Sequence, residues 1–205
     1  MSRLLFIFLI VSGSLCKAQS YEEVVDKCTK EFQHGLDPNN IKGMDSRIVE
    51  QIDQLRKCII GLKFPSFKST AIDNTTYTLD SLKSRIVLIN LWSIGCQPCV
   101  AEMPMFNELQ NEFSRRDFTI LSFGLDDSKS IADFIQKRPL GFSVFASSKE
   151  LITKKFKMSF GYPTNIFLDK DGRIIDIKIG GALDEVGVKK TKNEFKKLIE
   201  KGLSK

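Results

Sequence analysis

Apolar residues fall into two kinds of pattern along this chain, and the change between them divides it. In the first third they recur at helical spacing: Val24, Val25, Cys28 and Phe32 in one stretch, then Ile48, Ile52, Leu55 and Ile59 in the next. This predicts two helices, with a loop at residues 35–43 around Asp37-Pro38-Asn39-Asn40 and with Asp45 as the cap of the second helix. Together they read as a helical hairpin. From Phe67 the apolar runs shorten. Residues 67–73 and 76–79 flank Asn74-Thr75 and predict a β-hairpin. Residues 85–92 and 118–125 are almost unbroken apolar runs, as in strands covered on both faces. Residues 141–146 predict a further short strand.

Helices are predicted between and after these strands. Met103, Phe106, Leu109 and Phe113 share one side of the first. Ser128 is the expected cap of a second that runs to Lys137, and residues 149–156 read as a third. Residues 164–168 and 173–179 pair around the turn Asp169-Lys170-Asp171-Gly172. Asp184 opens a final amphipathic helix with Val188, Phe195, Leu198 and Ile199 inward. Strands alternating with helices and closed by an antiparallel hairpin predict an α/β domain: three layers, α/β/α, around a central mixed sheet.

The N-terminus reads as a secretory signal. Arg3 supplies a positive start, Leu4 to Val11 form an apolar run too short to span a bilayer comfortably, and Cys16-Lys17-Ala18 offers small residues for cleavage after Ala18. An uncleaved anchor and lipidation at Cys16 are the alternatives. The expected organisation is a signal peptide at 1–18, a helical segment at 19–62 and the α/β domain at 63–205. The protein is expected to be exported, into a periplasm.

Composition narrows the function further. At 42% hydrophobic and 27% charged residues the chain has the makings of a soluble domain with a full core. The formal net charge of +6 includes Arg3 and Lys17 of the leader, and no basic stripe is interleaved with aromatics, so nucleic acid is not an expected partner. The Lys-rich stretch from Lys189 to Lys205 reads as a solvated helix face. Loss of Cys16 with the leader leaves Cys28, Cys58, Cys96 and Cys99. In an oxidising compartment, that set suggests one catalytic pair, Cys96 and Cys99, and one structural disulfide, Cys28 with Cys58. Two buried thiols or a second redox relay are the other readings of Cys28 and Cys58.

Cys96-Gln97-Pro98-Cys99 follows a predicted buried strand and opens a predicted helix. The N-terminus of a helix carries free N–H groups and a partial positive charge, and both favour a thiolate. Cys96 is therefore the expected nucleophile and Cys99, one turn on and facing inward, the resolving thiol. A lone CxxC can also be half of a zinc site. Here a second CxxC is missing and the only histidine is His34, so four zinc ligands are not at hand. No metal and no cofactor are expected.

These residues resemble the thioredoxin superfamily from about Phe64 to the C-terminus. Trp92 stands four residues before the first cysteine and Pro104 five after the second, where the superfamily carries the same types. Gly161-Tyr162-Pro163-Thr164 looks like its cis-proline segment, and a cis bond is plausible only before proline. Within the superfamily the chain is similar to the exported TlpA/ResA/DsbE-type proteins. It has the N-terminal hairpin, an inserted helix and strand between Leu125 and Phe156, and Cys-x-x-Cys-x-x-Glu-x-Pro with Glu102 three residues after Cys99.

The resemblance implies a thioredoxin fold, a catalytic set of Cys96, Cys99, Glu102 and Pro163, and substrate contacts from Trp92, Gly95, Gln97, Pro98, Tyr162 and Thr164. Glu102 is expected to tune cysteine protonation. The chain departs from the superfamily at Gly95, where a Trp is usual, and at Asn90, where cytosolic thioredoxins carry a buried Asp. The expected activity is thiol–disulfide exchange on disulfide-bearing exported proteins, with electrons from a membrane-bound donor. Cytochrome c maturation and redox homeostasis are the implied settings. A peroxiredoxin-like peroxidase and a thiol-based copper or haem carrier are the alternatives. The first lacks a Pro-x-x-x-Thr/Ser-x-x-Cys segment, and the second lacks a Met or His cluster beside the CxxC.

Overall fold

The computed structural model describes residues 20–34, 44–113 and 117–204, without side chains at 31–34 and 44–48. The signal peptide at 1–18, the loop at 35–43 and the side chains of Phe32, His34 and Ile48 lie outside the described residues.

Two helices open the fold, α1 (Tyr21–His34) and α2 (Met44–Ile59). α2 begins at Met44, one residue ahead of the expected cap, so Asp45 sits in its first turn. A short hairpin follows, β1 (Lys68–Thr70) and β2 (Thr76–Thr78), with Asn74 at φ 67° in its turn. The core elements are β3 (Ile86–Trp92), α3 (Gln97–Phe113), β4 (Phe118–Gly124), α4 (Ser128–Lys137), β5 (Ser143–Phe145), β6 (Thr164–Leu168), β7 (Ile174–Ile179) and α5 (Glu185–Leu203). Asp127, not Ser128, caps α4: its carboxylate accepts the Ser130 amide, and Ser128 is the first helical residue. The sequence offers Asp127 and Ser128 as neighbouring cap types, and the ionised carboxylate is the stronger acceptor for a helix N-terminus. Asp184 caps α5 as expected. Residues 149–155 are helical, with a π-helical turn at Leu151–Lys155.

The five-stranded sheet has the order β5-β4-β3-β6-β7. β3, β4 and β5 run parallel, and β6 and β7 are antiparallel to their neighbours, which makes the sheet mixed. Every residue of β3, β4 and β6 is buried, which explains the almost unbroken apolar runs of β3 and β4.

Side chains alternate across β3 and sort into two cores. Ile86, Leu88 and Trp92 meet α3, α4 and α5 on one face. Val87, Ile89 and Leu91 meet Val25 and Cys28 of α1, Leu55 and Ile59 of α2, and a Phe cluster on the other. In that cluster Phe156 touches Phe64, Phe67 and Phe123. The helical hairpin thus shares a core with the sheet and completes the third layer. Cys28 and Cys58 are joined across α1 and α2, with Cα atoms 6.4 Å apart. Arg56 of α2 anchors the same unit by pairing with Asp176 of β7, which is 4% exposed.

Candidate active site

The site forms at the C-terminal end of β3, where the chain leaves the sheet and turns into α3. The turn is held from below: the Asp126 carboxylate accepts the Ile94 amide at 2.8 Å, and the Trp92 carbonyl accepts the Leu125 amide at 3.0 Å. Cys96 stands immediately before α3, in the N-cap position. Its sulfur accepts the backbone N–H of Cys99 at 3.3 Å, the bond that an N-cap side chain makes to the third helical residue. Cys96 is half-buried and Cys99 fully buried, with Cα atoms 5.2 Å apart and the two sulfurs bonded.

Gly95 and Gln97 are exposed and Pro98 is half-buried beside Cys96. A Cβ added at Gly95 would meet nothing within 4 Å, so the absence of the superfamily's Trp leaves open surface there. The Tyr162–Pro163 peptide bond is cis. Pro163 is buried, its carbonyl accepts the Gly180 amide at 2.8 Å, and the half-buried Tyr162 precedes it. Two expected client contacts need correction. Trp92 is fully buried, with its ring 5.3 Å from that of Phe134, so it supports the turn from inside and presents no surface. Thr164 is also fully buried. Its hydroxyl donates to the Gly161 carbonyl at 2.7 Å, and its backbone lies between Leu91 and Ile179.

Glu102 lies on the inner side of α3, one turn beyond Cys99, and is 0% exposed. Burial pushes its carboxyl up from 4.5 to about 7, because the ionised form loses its hydration. A bond from Asn165 partly offsets this: the amide Nδ2 donates to Oε2 at 3.1 Å. The other oxygen, Oε1, is buried with no hydrogen-bond partner.

Three polar residues that sequence reasoning did not assign to the site stand here. Asn165 donates to Glu102, Asn90 donates to Asn165 at 2.9 Å, and Ser122 donates to Asn90 at 2.8 Å. Each is a buried polar residue in a fully buried strand, and that was the available signal. Asn90 had been noticed only as a departure from thioredoxin. Among the described residues no three His, Cys, Asp or Glu side chains gather where they could hold a metal ion.

The pattern of the AhpC/TSA family matches residues 60–177. The chain belongs to the AhpC/TSA family. The match takes in the β1–β2 hairpin, the CxxC turn, the inserted helix and strand, and the cis-proline segment of this thioredoxin-like family. The chain is 29% identical over 125 residues to the thiol-disulfide oxidoreductase ResA of Bacillus cereus, covering 60% of this chain and 72% of that protein. It is 30% identical over 129 residues to ResA of Oceanobacillus iheyensis, covering 60% and 66%. Thiol–disulfide oxidoreductase is the enzyme class this kinship gives the chain. A thiol:disulfide interchange protein of the thioredoxin family from Chlorobium tepidum shares the fold, with a TM-score of 0.58 at 20% identity over 69% of this chain and 95% of that one.

Proposed function

We propose that the protein reduces, or exchanges, disulfides of exported protein clients through Cys96 and Cys99. The observation that carries this reading is the placement of the two sulfurs. One is half-exposed at a helix N-terminus and accepts a main-chain amide, and the other is buried one turn behind it. The kinship with ResA supports it.

In the reduced enzyme the Cys96 thiolate attacks one sulfur of a client disulfide. The client S–S bond breaks, a mixed disulfide to Cys96 forms, and the other client sulfur leaves as a thiolate. Cys99 then loses its proton and attacks Cys96. The mixed disulfide breaks, the second client sulfur leaves, and the enzyme keeps the Cys96–Cys99 bond, so the client has gained two electrons. Glu102, buried one turn from Cys99 and titrating near neutral, takes the Cys99 proton in this scheme. In this reading Gln97, Pro98, the open surface at Gly95 and Tyr162 form the client-docking rim, with the cis Pro163 holding Tyr162 in place. Cys28–Cys58 serves as a structural clamp on the helical hairpin.

A membrane-bound donor returns the enzyme to the dithiol form, and residues 1–18 direct export to the periplasm. Among the described residues no helix is long and apolar enough to cross a membrane. The test is to express Cys99→Ser in the native cell and isolate adducts. Client proteins released from Cys96 by reductant are the expected result. Adducts that persist in a Cys96→Ser,Cys99→Ser variant, or adducts only to small thiols, would overturn the assignment.

A further inference from the structure

Asn90 is the register partner of Ser122 on one side and of Asn165 on the other. The three therefore form one polar row across β4, β3 and β6. Directly opposed residues point to the same face, and this is the face on which α3 packs. All three side chains, and that of Glu102, are 0% exposed.

When Glu102 is ionised, the orientation of the row is forced from one end. An ionised carboxylate can only accept, so Asn165 must turn its NH2 to Glu102. Its carbonyl then faces Asn90, which must present its own NH2, and the Asn90 carbonyl is left to accept from the Ser122 hydroxyl. The three bonds of 2.8, 2.9 and 3.1 Å run head to tail toward Glu102. A row of donors aligned this way polarises each member and strengthens the last bond. An amide neither takes up nor gives up a proton at these pH values, so the row cannot conduct one.

The other carboxyl oxygen has the opposite surroundings. Oε1 has no partner and lies against Gly181. A Cβ at residue 181 would come to 2.7 Å from Oε1 and 2.9 Å from Cγ of Pro163. Gly181 has no side chain to fill this space, so Oε1 faces the backbone at residue 181 and the ring of Pro163. On Glu102's own helix the other titratable groups are Cys99, with Cys96 at the cap, and Glu108 and Glu112, which pair with Lys192 and Lys196 of α5; Tyr162 precedes the cis-proline. Outside the 180–182 segment stand Lys190 and the ion pair of Lys178 with Glu194, at 3.2 Å. None of these charges contributes to the shift of Glu102, which comes from burial and from Asn165.

We propose that Asn165, held by Asn90 and Ser122, is a positioning residue that makes Oε2 of Glu102 a permanent acceptor, so that the carboxyl's exchangeable proton is carried on Oε1, on the side of Gly181 and Pro163. Proton exchange at Glu102 then runs toward the cis-proline and the client face, not through the sheet. The inference builds on the proposed role of Glu102 in exchange, but its test involves no client, so the two can fail separately.

The test is infrared spectroscopy of the full oxidised protein, in which the cysteines do not titrate. The carboxylic C=O band is followed from pH 5.5 to pH 9 and assigned by its loss in Glu102→Gln. When Oε1 carries the proton, Oε2 is the carbonyl, and its stretch is lowered by the Asn165 bond. Asn165→Ala is expected to move the band to higher wavenumber and to lower the acid dissociation constant of Glu102 roughly tenfold, the scale of one hydrogen bond to a charged group. If that variant does not fold, Asn90→Leu,Asn165→Leu replaces both amides with apolar groups of similar size and is expected to give the same two shifts. A dissociation constant within twofold of wild type, or an unmoved band, in the folded variant overturns the proposal.

Discussion

Glu102→Gln tests the burial of this carboxyl by its effect on stability. The folded chain holds the Glu102 proton up to about pH 7, whereas an unfolded chain releases it near 4.5. Between these values the folded state binds more protons than the unfolded state, so stability falls as pH rises. The stabilising effect of the protonated carboxyl is complete below about 4.5 and is lost as pH passes 7. The window is about 2.5 pH units wide at about 1.36 kcal/mol each, so the total is about 3 kcal/mol. Glutamine keeps an acceptor for Asn165 and has no proton to lose. Its stability relative to wild type should therefore rise by about 3 kcal/mol between pH 4 and pH 8. Urea denaturation of the oxidised proteins at the two pH values measures this, with Trp92, the single tryptophan and fully buried, as the fluorescent probe. The other ionisable groups are common to both proteins and cancel in the difference. A change below about 1 kcal/mol would refute the argument, because it would mean that the carboxyl is hydrated in the folded state.

In the protein with the Cys96–Cys99 pair reduced and Cys28–Cys58 intact, Cys96 should be the first thiol alkylated near neutral pH, since Cys96 is half-buried at a helix N-terminus and Cys99 is 0% exposed. Mass mapping after a short iodoacetamide pulse reads this, and faster labelling of Cys99 would reverse the proposed roles. Replacing Cys28 and Cys58 together by Ala should remove roughly 3.5 kcal/mol of stability, the chain-entropy value for a bridge spanning 30 residues. Equal urea midpoints for the Ala variant and the wild type would show that the bridge does not clamp the hairpin.

Local chemistry made most of the elements legible. An apolar run broken only by Asn90, such as Ile86–Trp92, has few ways to be satisfied other than as a strand with both faces covered, and the structure covers both. The Asp169–Gly172 turn, the Asp184 cap and the helix that begins after Cys96 depend on residues within a few positions of one another, so their signals are contiguous in sequence. The errors were also local. Asp127 and Ser128 both suit a cap, and the structure gives the role to the carboxylate, the stronger acceptor. Trp92 was assigned to the client surface because of where it stands relative to the CxxC, but relative position in sequence does not report exposure.

The environment of Glu102 was legible only in part. Its spacing from Cys99 put it one helical turn from the resolving thiol, and that much is helical geometry. Its partners are 63 residues away at Asn165 and, through Asn90, at Ser122, and they meet because β4, β3 and β6 lie side by side in one register. A one-residue slip in either pairing would break the row, and no local pattern encodes that register. The sequence by itself determined where the thiols stand and which helix end activates them, because those effects act within one turn. Only the tertiary structure decided what faces the carboxyl, because burial and hydrogen bonding there are set by strands that are distant along the chain.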